Sequence, residues 1–121
     1  MKKRQCDRFS IPGTTLYYKN RPGFFSSPDY PDHYFPVLNL SKGGVSFLCD
    51  ERLKAGRKVV LKIDIPGVEK EVELLAVIRW VSKNREQSYK YQAGAAFNSY
   101  GNKKNQNPPD ILALLKNLEP H

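Results

Sequence analysis

The most constraining feature of the sequence is a pair of long strand-like segments joined by a Pro-Gly turn. Five of the seven residues 59–65 are β-branched or aliphatic, and residues 68–81 carry apolar side chains at alternate positions. Between them, Pro66 presets φ for the first central position of a turn, and Gly67 tolerates a positive φ at the second. A period of two places one set of side chains on a single, core-facing side of the second strand: Val72, Leu74, Ala76, Ile78 and Trp80. The pattern predicts an antiparallel hairpin with one buried face.

Further strand-like segments lie on both sides of this hairpin. Residues 14–19, 45–49 and 89–97 are rich in β-branched, aromatic or alternating apolar side chains, which is typical of half-buried strands. Residues 20–36 contain several prolines and aromatic rings. Because proline cannot donate to a strand ladder, this segment predicts a long loop, with some of its rings packed on the domain.

A helix is predicted at the C-terminal end of the sequence. Pro108, Pro109 and Asp110 resemble a helix start, and the apolar residues that follow form one stripe: Ile111, Leu112, Leu114, Leu115 and Leu118. About five or six strands with hairpin connections and one covering helix favour a mainly β fold, a small antiparallel barrel. We divide the chain into a flexible arm (1–10), a barrel (11–98), a linker (99–108) and a helix (109–119).

The composition limits the classes of function. The 121 residues suit one domain, and the net charge of +8 favours an anionic partner such as a nucleotide, a nucleic acid, a phospholipid surface or an acidic protein. No apolar run is long enough for a membrane span, and no signal-peptide core follows the basic N-terminus, so a cytoplasmic location is expected. The two cysteines and two histidines do not have the spacing of a metal site. No catalytic set is evident, which predicts a non-enzyme without a cofactor.

Two short motifs stand out because of their order along the chain. Arg4 and Arg8 form an R-x-x-x-R pattern in the N-terminal arm, and residues 39–44 form an N-x-S-x-x-G pattern just before a predicted strand. Each motif alone occurs in many unrelated proteins. The combination is more specific: an arginine arm, a strand, the N-x-S-x-x-G turn, the rest of a barrel, and a closing helix.

At these residues the sequence resembles the PilZ family. The later segments 78–81 and 91–97 also look like the penultimate and closing strands of that family. The resemblance implies a six-stranded β-barrel with a C-terminal helix, of bacterial origin. It also implies a receptor that binds cyclic di-GMP between the arm and the barrel. Such a receptor would act in signal transduction through contacts with a downstream protein, which the sequence does not identify.

The resemblance implies a ligand-binding set formed by the two motifs: Arg4, Arg8, Asn39, Ser41 and Gly44. The neighbours with a secondary, mainly electrostatic or backbone role are Lys3, Lys42 and Gly43. The chemistry agrees, because a guanidinium fork matches the O6 and N7 acceptors of guanine as well as a phosphate. An amide and a hydroxyl offer further donors and acceptors, and a glycine lets backbone approach a ligand closely or take a positive φ.

Two alternatives compete with this interpretation. The first is a basic β-barrel that binds nucleic acid, with base stacking on Tyr17, Tyr18, Tyr89 and Tyr91. It is weakened because neighbouring residues of a strand, such as the first two tyrosines, point to opposite faces. The second is a PilZ-like interaction module that no longer binds a ligand, against which the intact arginine motif argues. Gly94 is expected to be a position of close packing rather than a ligand contact.

Overall fold

The computed structural model describes residues 8–20, 33–85 and 88–120. Within them, six antiparallel strands form a closed barrel in the order β1-β2-β3-β6-β5-β4, and one helix follows. The mainly β barrel with a C-terminal helix is therefore confirmed. The elements are β1 (Thr15–Asn20), β2 (Phe35–Leu40), β3 (Gly44–Cys49), β4 (Lys58–Asp64), β5 (Val72–Lys83), β6 (Tyr91–Phe97) and α1 (Pro109–Leu118).

The hairpin predicted from the sequence joins β4 to β5. The two strands pair from Lys58 opposite Val77 to Ile63 opposite Val72. In the turn, the N–H of Val68 donates to the carbonyl of Ile65 over 3.0 Å, and Gly67 has a φ of 89°. Only glycine adopts this φ without a steric cost, so the predicted role of the Pro-Gly pair is confirmed.

The interior of β5 follows the predicted alternation only as far as Ile78. The residues at alternate positions up to that point are buried: Val72, Leu74, Ala76 and Ile78. The register with β6 then shifts between Ile78 and Trp80, as an extra residue in one strand causes. The shift turns Trp80 to the outer face, where it is 36% exposed. The expectation that Trp80 belongs to the core is wrong, because alternation fails across the bulge.

The second strand begins inside the segment predicted to be a loop. Phe35 is buried and its ring centroid lies 5.4 Å from that of Tyr18, so at least one ring of that segment packs on the domain as expected. Pro36 pairs with Thr15 in the short ladder between β1 and β2, which has two paired positions. A proline fits there because the ladder is short. Residues 21–32 lie outside the described residues.

The end of the N-terminal arm is attached to the barrel. Phe9 is buried in the core, and its backbone N–H and C=O exchange hydrogen bonds of 2.9 and 2.8 Å with Leu40. Ser10 also donates its hydroxyl proton to the carbonyl of Leu38 over 2.7 Å. The predicted arm extends to residue 10, yet its described residues 8–10 are fixed beside β2. Residues 1–7 lie outside the described residues.

The segment between β6 and α1 is fixed by one buried amide. Asn107 is 1% exposed. Its side chain accepts from the N–H of Leu75 over 2.7 Å and donates to the carbonyls of Leu75 and Asn98 over 3.0 Å each. The amide therefore satisfies the β5 backbone beyond the end of β6, as a neighbouring strand would. The predicted linker thus includes a structured attachment point.

The C-terminal helix covers the core with part of its apolar stripe. Leu115 is fully buried in the core cluster, and Ile111, Leu114 and Leu118 pack against that cluster while partly exposed. Leu112 is only partly buried and lies outside the cluster. The predicted stripe is therefore confirmed for four of its five residues. No helix of the described residues is long and apolar enough to cross a membrane.

We predict that Asn107→Ala lowers the free energy of unfolding by about 1–3 kcal/mol, because it leaves the N–H of Leu75 without its hydrogen-bond partner. Urea denaturation of the variant and the wild type measures the difference. Asn102→Ala is the control, since Asn102 is exposed in the same segment and should change stability by less than about 0.5 kcal/mol. Equal stability of both variants would contradict the proposed attachment.

We also predict that Leu115→Ala destabilises the protein by about 2–5 kcal/mol, the usual cost of truncating a fully buried leucine. Leu112→Ala is a matched control on the same helix. It should cost clearly less, because Leu112 is partly exposed. Thermal unfolding followed by circular dichroism distinguishes them. Similar melting temperatures for the two variants would mean that the helix does not cover the core as described.

Candidate functional site

A cavity of about 390 Å³ lies on the outside of the barrel, between the end of the arm and the strands β3, β5 and β6. It is open to solvent on one side, as a ligand cleft must be. Its lining residues come from the arm, from the turn before β3, and from the three strands: Arg8, Ser41, Gly43, Gly44, Val45, Ser46, Arg79, Trp80, Gly94, Ala95 and Ala96.

The turn between β2 and β3 is held together by the Ser41 side chain. The buried hydroxyl of Ser41 accepts hydrogen bonds from the N–H groups of Gly43 and Gly44, over 3.1 and 3.2 Å. The backbone N–H of Ser41 donates to the carbonyl of Gly44 over 2.9 Å. A serine that bonds its own backbone in this way fixes a turn. The hydroxyl is thereby engaged inside the protein.

Two neighbouring elements brace the same turn. The hydroxyl of Tyr100 donates to the carbonyl of Lys42 over 2.7 Å, and the N–H of Phe97 donates to the carbonyl of Gly43 over 2.9 Å. Because these bonds come from β6 and the segment after it, the turn is held at a fixed position against the barrel. It therefore presents a preformed edge to the cavity.

Gly44 is required by the approach of β3 to β6. A Cβ on Gly44 would lie 2.5 Å from the carbonyl oxygen of Ala95, a distance that backbone atoms cannot easily relieve. Gly44 does not have a positive φ; among the described glycines, Gly13, Gly56 and Gly67 do. Of the two roles expected for Gly44, close approach applies, and the group that approaches is the neighbouring strand.

A row of directly paired residues crosses four strands beneath the cavity. Asn39 in β2 lies opposite Ser46 in β3, Ser46 opposite Gly94 in β6, and Gly94 opposite Trp80 in β5. Directly opposite residues share a face of the sheet, and Trp80 is on the outer face, so all four are outside the barrel. We call Asn39, Ser46, Gly94 and Trp80 the floor row.

The indole of Trp80 lies against the backbone of Gly94. A Cβ on Gly94 would overlap the atoms of the indole ring. The expected role of Gly94 in close packing is therefore confirmed, although Gly94 also lines the cavity. The flat ring of Trp80 forms one side of the cavity as a result.

The charge of the cavity is positive. Arg8 and Arg79 line it, and no acidic side chain does so among the described residues. Arg8 is exposed, but its position is set by Phe9, the next residue, which is fixed to Leu40. The same backbone bridge therefore connects the arm to the strand that leads into the Ser41 turn.

The structure brings together residues from both sequence motifs. Arg8, Ser41, Gly43 and Gly44 line the cavity. Asn39 lies beside it in the floor row, whereas Lys42 does not line it and contributes its carbonyl to Tyr100. The predicted residues Lys3 and Arg4 lie outside the described residues.

Among the cavity residues that sequence reasoning missed, those with polar or aromatic side chains are Ser46, Arg79 and Trp80. Ser46 was treated only as part of an alternating strand. Strict alternation in β5 predicted that Trp80 lies in the core, and the bulge overrides it. Arg79 entered the sequence analysis only as part of the segment 78–81. The available signal was a basic residue beside an aromatic one near the end of a strand. The face of the sheet on which the aromatic side chain lies depends on the bulge.

The comparisons with known proteins agree with this geometry. The family model described as PilZ domain matches residues 2–107, which is most of the chain. The chain belongs to the PilZ domain family. No protein among the curated ones compared matches this PilZ domain.

Several solved structures have the same fold as this PilZ domain. The inhibitor of motility MotI/DgrA of Bacillus subtilis matches with a TM-score of 0.69 at 16% identity, over 98% of this chain and 49% of that one. YcgR of Escherichia coli in complex with c-di-GMP matches with a TM-score of 0.63 at 16% identity, over 97% of this chain and 44% of that one. The PilZ domain of YcgR from Escherichia coli with c-di-GMP matches with a TM-score of 0.65 at 15% identity, over 97% of this chain and 88% of that one. This chain spans about half the length of the first two proteins.

Other side chains in this PilZ domain are engaged away from the cavity. Tyr18 is buried and donates its hydroxyl proton to the Glu51 carboxylate over 2.7 Å. Burial is the main cause that raises the pKa of Tyr18, and this hydrogen bond is the second cause. Because the ring is enclosed, it cannot stack on a base, which removes one of the tyrosines that the nucleic-acid alternative needed. Burial also raises the pKa of the free Cys49 thiol to about 11.

The remaining chemistry of the described residues is sparse. No group of three or more His, Cys, Asp or Glu side chains in the described ranges is placed to hold a metal ion. Tyr89 and Tyr91 line a separate cavity of about 430 Å³ together with Lys83 and Lys90. The concentration of motif residues distinguishes the first cavity from this one.

We predict that Gly44→Ala destabilises this PilZ domain by about 1–3 kcal/mol, because the new methyl group meets a backbone oxygen that cannot move aside. Gly94→Ala is the matched comparison. There the new methyl group meets the Trp80 side chain, which can rotate, so the loss of stability should be smaller. Since Trp80 is the only tryptophan, its fluorescence emission should shift in Gly94→Ala. A larger loss of stability in Gly94→Ala than in Gly44→Ala would contradict this assignment.

Proposed function

We propose that this PilZ domain is a non-enzymatic receptor for cyclic di-GMP, which it binds in the cavity between the arm and the barrel. The observation that carries the proposal is that Arg8 and the Ser41–Gly44 turn line one cavity. They belong to motifs that are far apart in the sequence, and a shared cleft gives both a common role. The bound ligand would then alter the surface that a downstream protein contacts, so that the domain signals through protein–protein contacts.

The chemistry of the cavity suits a dinucleotide. The guanidinium groups of Arg8 and Arg79 offer planar, forked donors to phosphate oxygens or to the O6 and N7 edge of guanine. The face of Trp80 is available for contact with a purine or another planar group. Gly43 is exposed at the edge of the cavity and leaves its backbone bare, which lets a flat ligand approach closely.

Charge and likeness to solved structures support the same ligand. The net charge of +8 attracts an anion, and the two YcgR structures carry c-di-GMP. The residues proposed to hold it are Arg4, Arg8, Asn39 and Gly44, with Ser41 fixing the turn. Arg79 and Trp80 join them because they line the cavity. Lys3, Lys42 and Gly43 contribute charge or backbone.

Isothermal titration calorimetry tests the function directly. We expect saturable binding of cyclic di-GMP that is tighter than the binding of GMP or GTP. A single-stranded oligonucleotide should bind more weakly, and its binding should fall steeply with added salt. Tighter binding of the oligonucleotide would support the nucleic-acid alternative. Absence of binding to every one of these ligands would support an interaction module without a ligand.

We predict that Arg8→Ala weakens the binding of cyclic di-GMP by about 5- to 150-fold, since a forked contact to guanine is worth about 1–3 kcal/mol. Arg8→Lys should restore only part of the affinity, because an ammonium group keeps the charge but not the planar fork. Neither change should lower the melting temperature, because the Arg8 side chain is exposed.

Arg52→Ala is the control for this prediction. Arg52 is exposed and lies outside the cavity, and its removal changes the net charge by the same amount. Affinity for cyclic di-GMP should stay within about 2-fold of the wild type at physiological salt, because distant exposed charges are screened. Full rescue by Arg8→Lys, or an equal loss in Arg52→Ala, would mean that Arg8 acts only through its charge.

A further inference from the structure

Two serines line the cavity, and they differ in how their hydroxyl groups are used. The Ser41 hydroxyl is occupied by the N–H groups of Gly43 and Gly44. The Ser46 hydroxyl is buried, with the residue 2% exposed, and it has no hydrogen-bond partner among the described residues. A buried hydroxyl without a partner lowers stability, and such groups are rare in folded proteins. The Ser46 hydroxyl therefore has bonding capacity that no other described residue uses.

The position of Ser46 directs this capacity toward the cavity. Ser46 is the second residue of the floor row, between Asn39 and Gly94, and it is a lining residue. Gly94 has no side chain that could bond the hydroxyl. On the other side Ser46 lies directly opposite Asn39. The Cβ atoms of directly opposite residues are about 4.5–5.5 Å apart. A hydroxyl at 46 and an amide at 39 are therefore close enough to bind a single polar edge of a ligand.

We propose that the Ser46 hydroxyl is a further hydrogen-bonding contact for the bound dinucleotide, acting beside the Asn39 amide. This inference rests on the proposed function and adds to it a residue outside both sequence motifs. The hydroxyl is covered in the ligand-free protein, so binding requires a side chain to move. Asn39 and Trp80 are the partly exposed members of the floor row, and we assign this movement to one of their side chains.

The proposal gives the two serines opposite roles, which substitutions can separate. Ser41→Ala removes an acceptor that organises the turn, so it should lower the melting temperature. Ser46→Ala removes a hydroxyl that bonds no other described residue, so the melting temperature should stay the same or rise. The affinity of Ser46→Ala for cyclic di-GMP should fall by about 2- to 10-fold, the effect of one neutral hydrogen bond.

The experiment combines thermal unfolding without ligand and calorimetric titration with cyclic di-GMP, for the wild type, Ser46→Ala and Ser82→Ala. Ser82 is the control, because it is an exposed serine of β5 that does not line the cavity. It should change neither quantity. A double-mutant cycle with Asn39→Ala should be non-additive if the amide and the hydroxyl bind the same edge.

Each outcome decides a different point. Reduced affinity with unchanged or raised stability in Ser46→Ala supports the contact. Unchanged affinity overturns it, while leaving cyclic di-GMP binding by the wild type intact. Lower stability in Ser46→Ala also overturns it, because the hydroxyl would then serve the fold. If the wild type itself does not bind cyclic di-GMP, the proposed function fails, and the contact fails with it.

Discussion

The close approach of β3 to β6 is the constraint on which the candidate site depends. The two strands pair from Gly44 opposite Ala96 to Cys49 opposite Tyr91, and the carbonyl of Ala95 occupies the space that a side chain at position 44 would need. This pairing joins the early strands β1–β3 to the later strands β4–β6. It also places the turn that precedes β3 beside the outer face of β5. Without this contact, Trp80 and Arg79 would not share a cavity with Ser41.

The N-x-S-x-x-G motif in this structure is chiefly a device that builds the turn. Ser41 bonds the backbone of the turn itself, and Gly44 makes room for Ala95. Ser41, Gly43 and Gly44 of the turn line the cavity together with residues that the turn positions on the neighbouring strands. A rigid turn reduces the ordering cost that a ligand must offset when it binds. The motif can therefore matter for binding even where its serine contacts no ligand.

Two short backbone attachments position the parts of the chain outside the barrel. Phe9 exchanges hydrogen bonds with Leu40 and is buried in the core, which sets the starting point of the arm that carries Arg8. The Asn107 side chain bonds the N–H and C=O of Leu75 and fixes the start of the segment that leads to the helix. In each case a single buried residue supplies contacts that a longer strand would otherwise provide.

The sequence by itself determined the type of most elements and the family. The hairpin at Pro66 and Gly67, the helix at 109–118 and the order of the two motifs follow from local rules of turn chemistry and side-chain periodicity, which depend only on neighbouring residues. Tertiary structure decided what local rules do not contain. The bulge between Ile78 and Trp80 moves Trp80 from the expected core to the cavity, because register is set by pairing with another strand. The floor row and the free hydroxyl of Ser46 likewise exist only once four strands are aligned, since each residue in the row comes from a different segment of the chain.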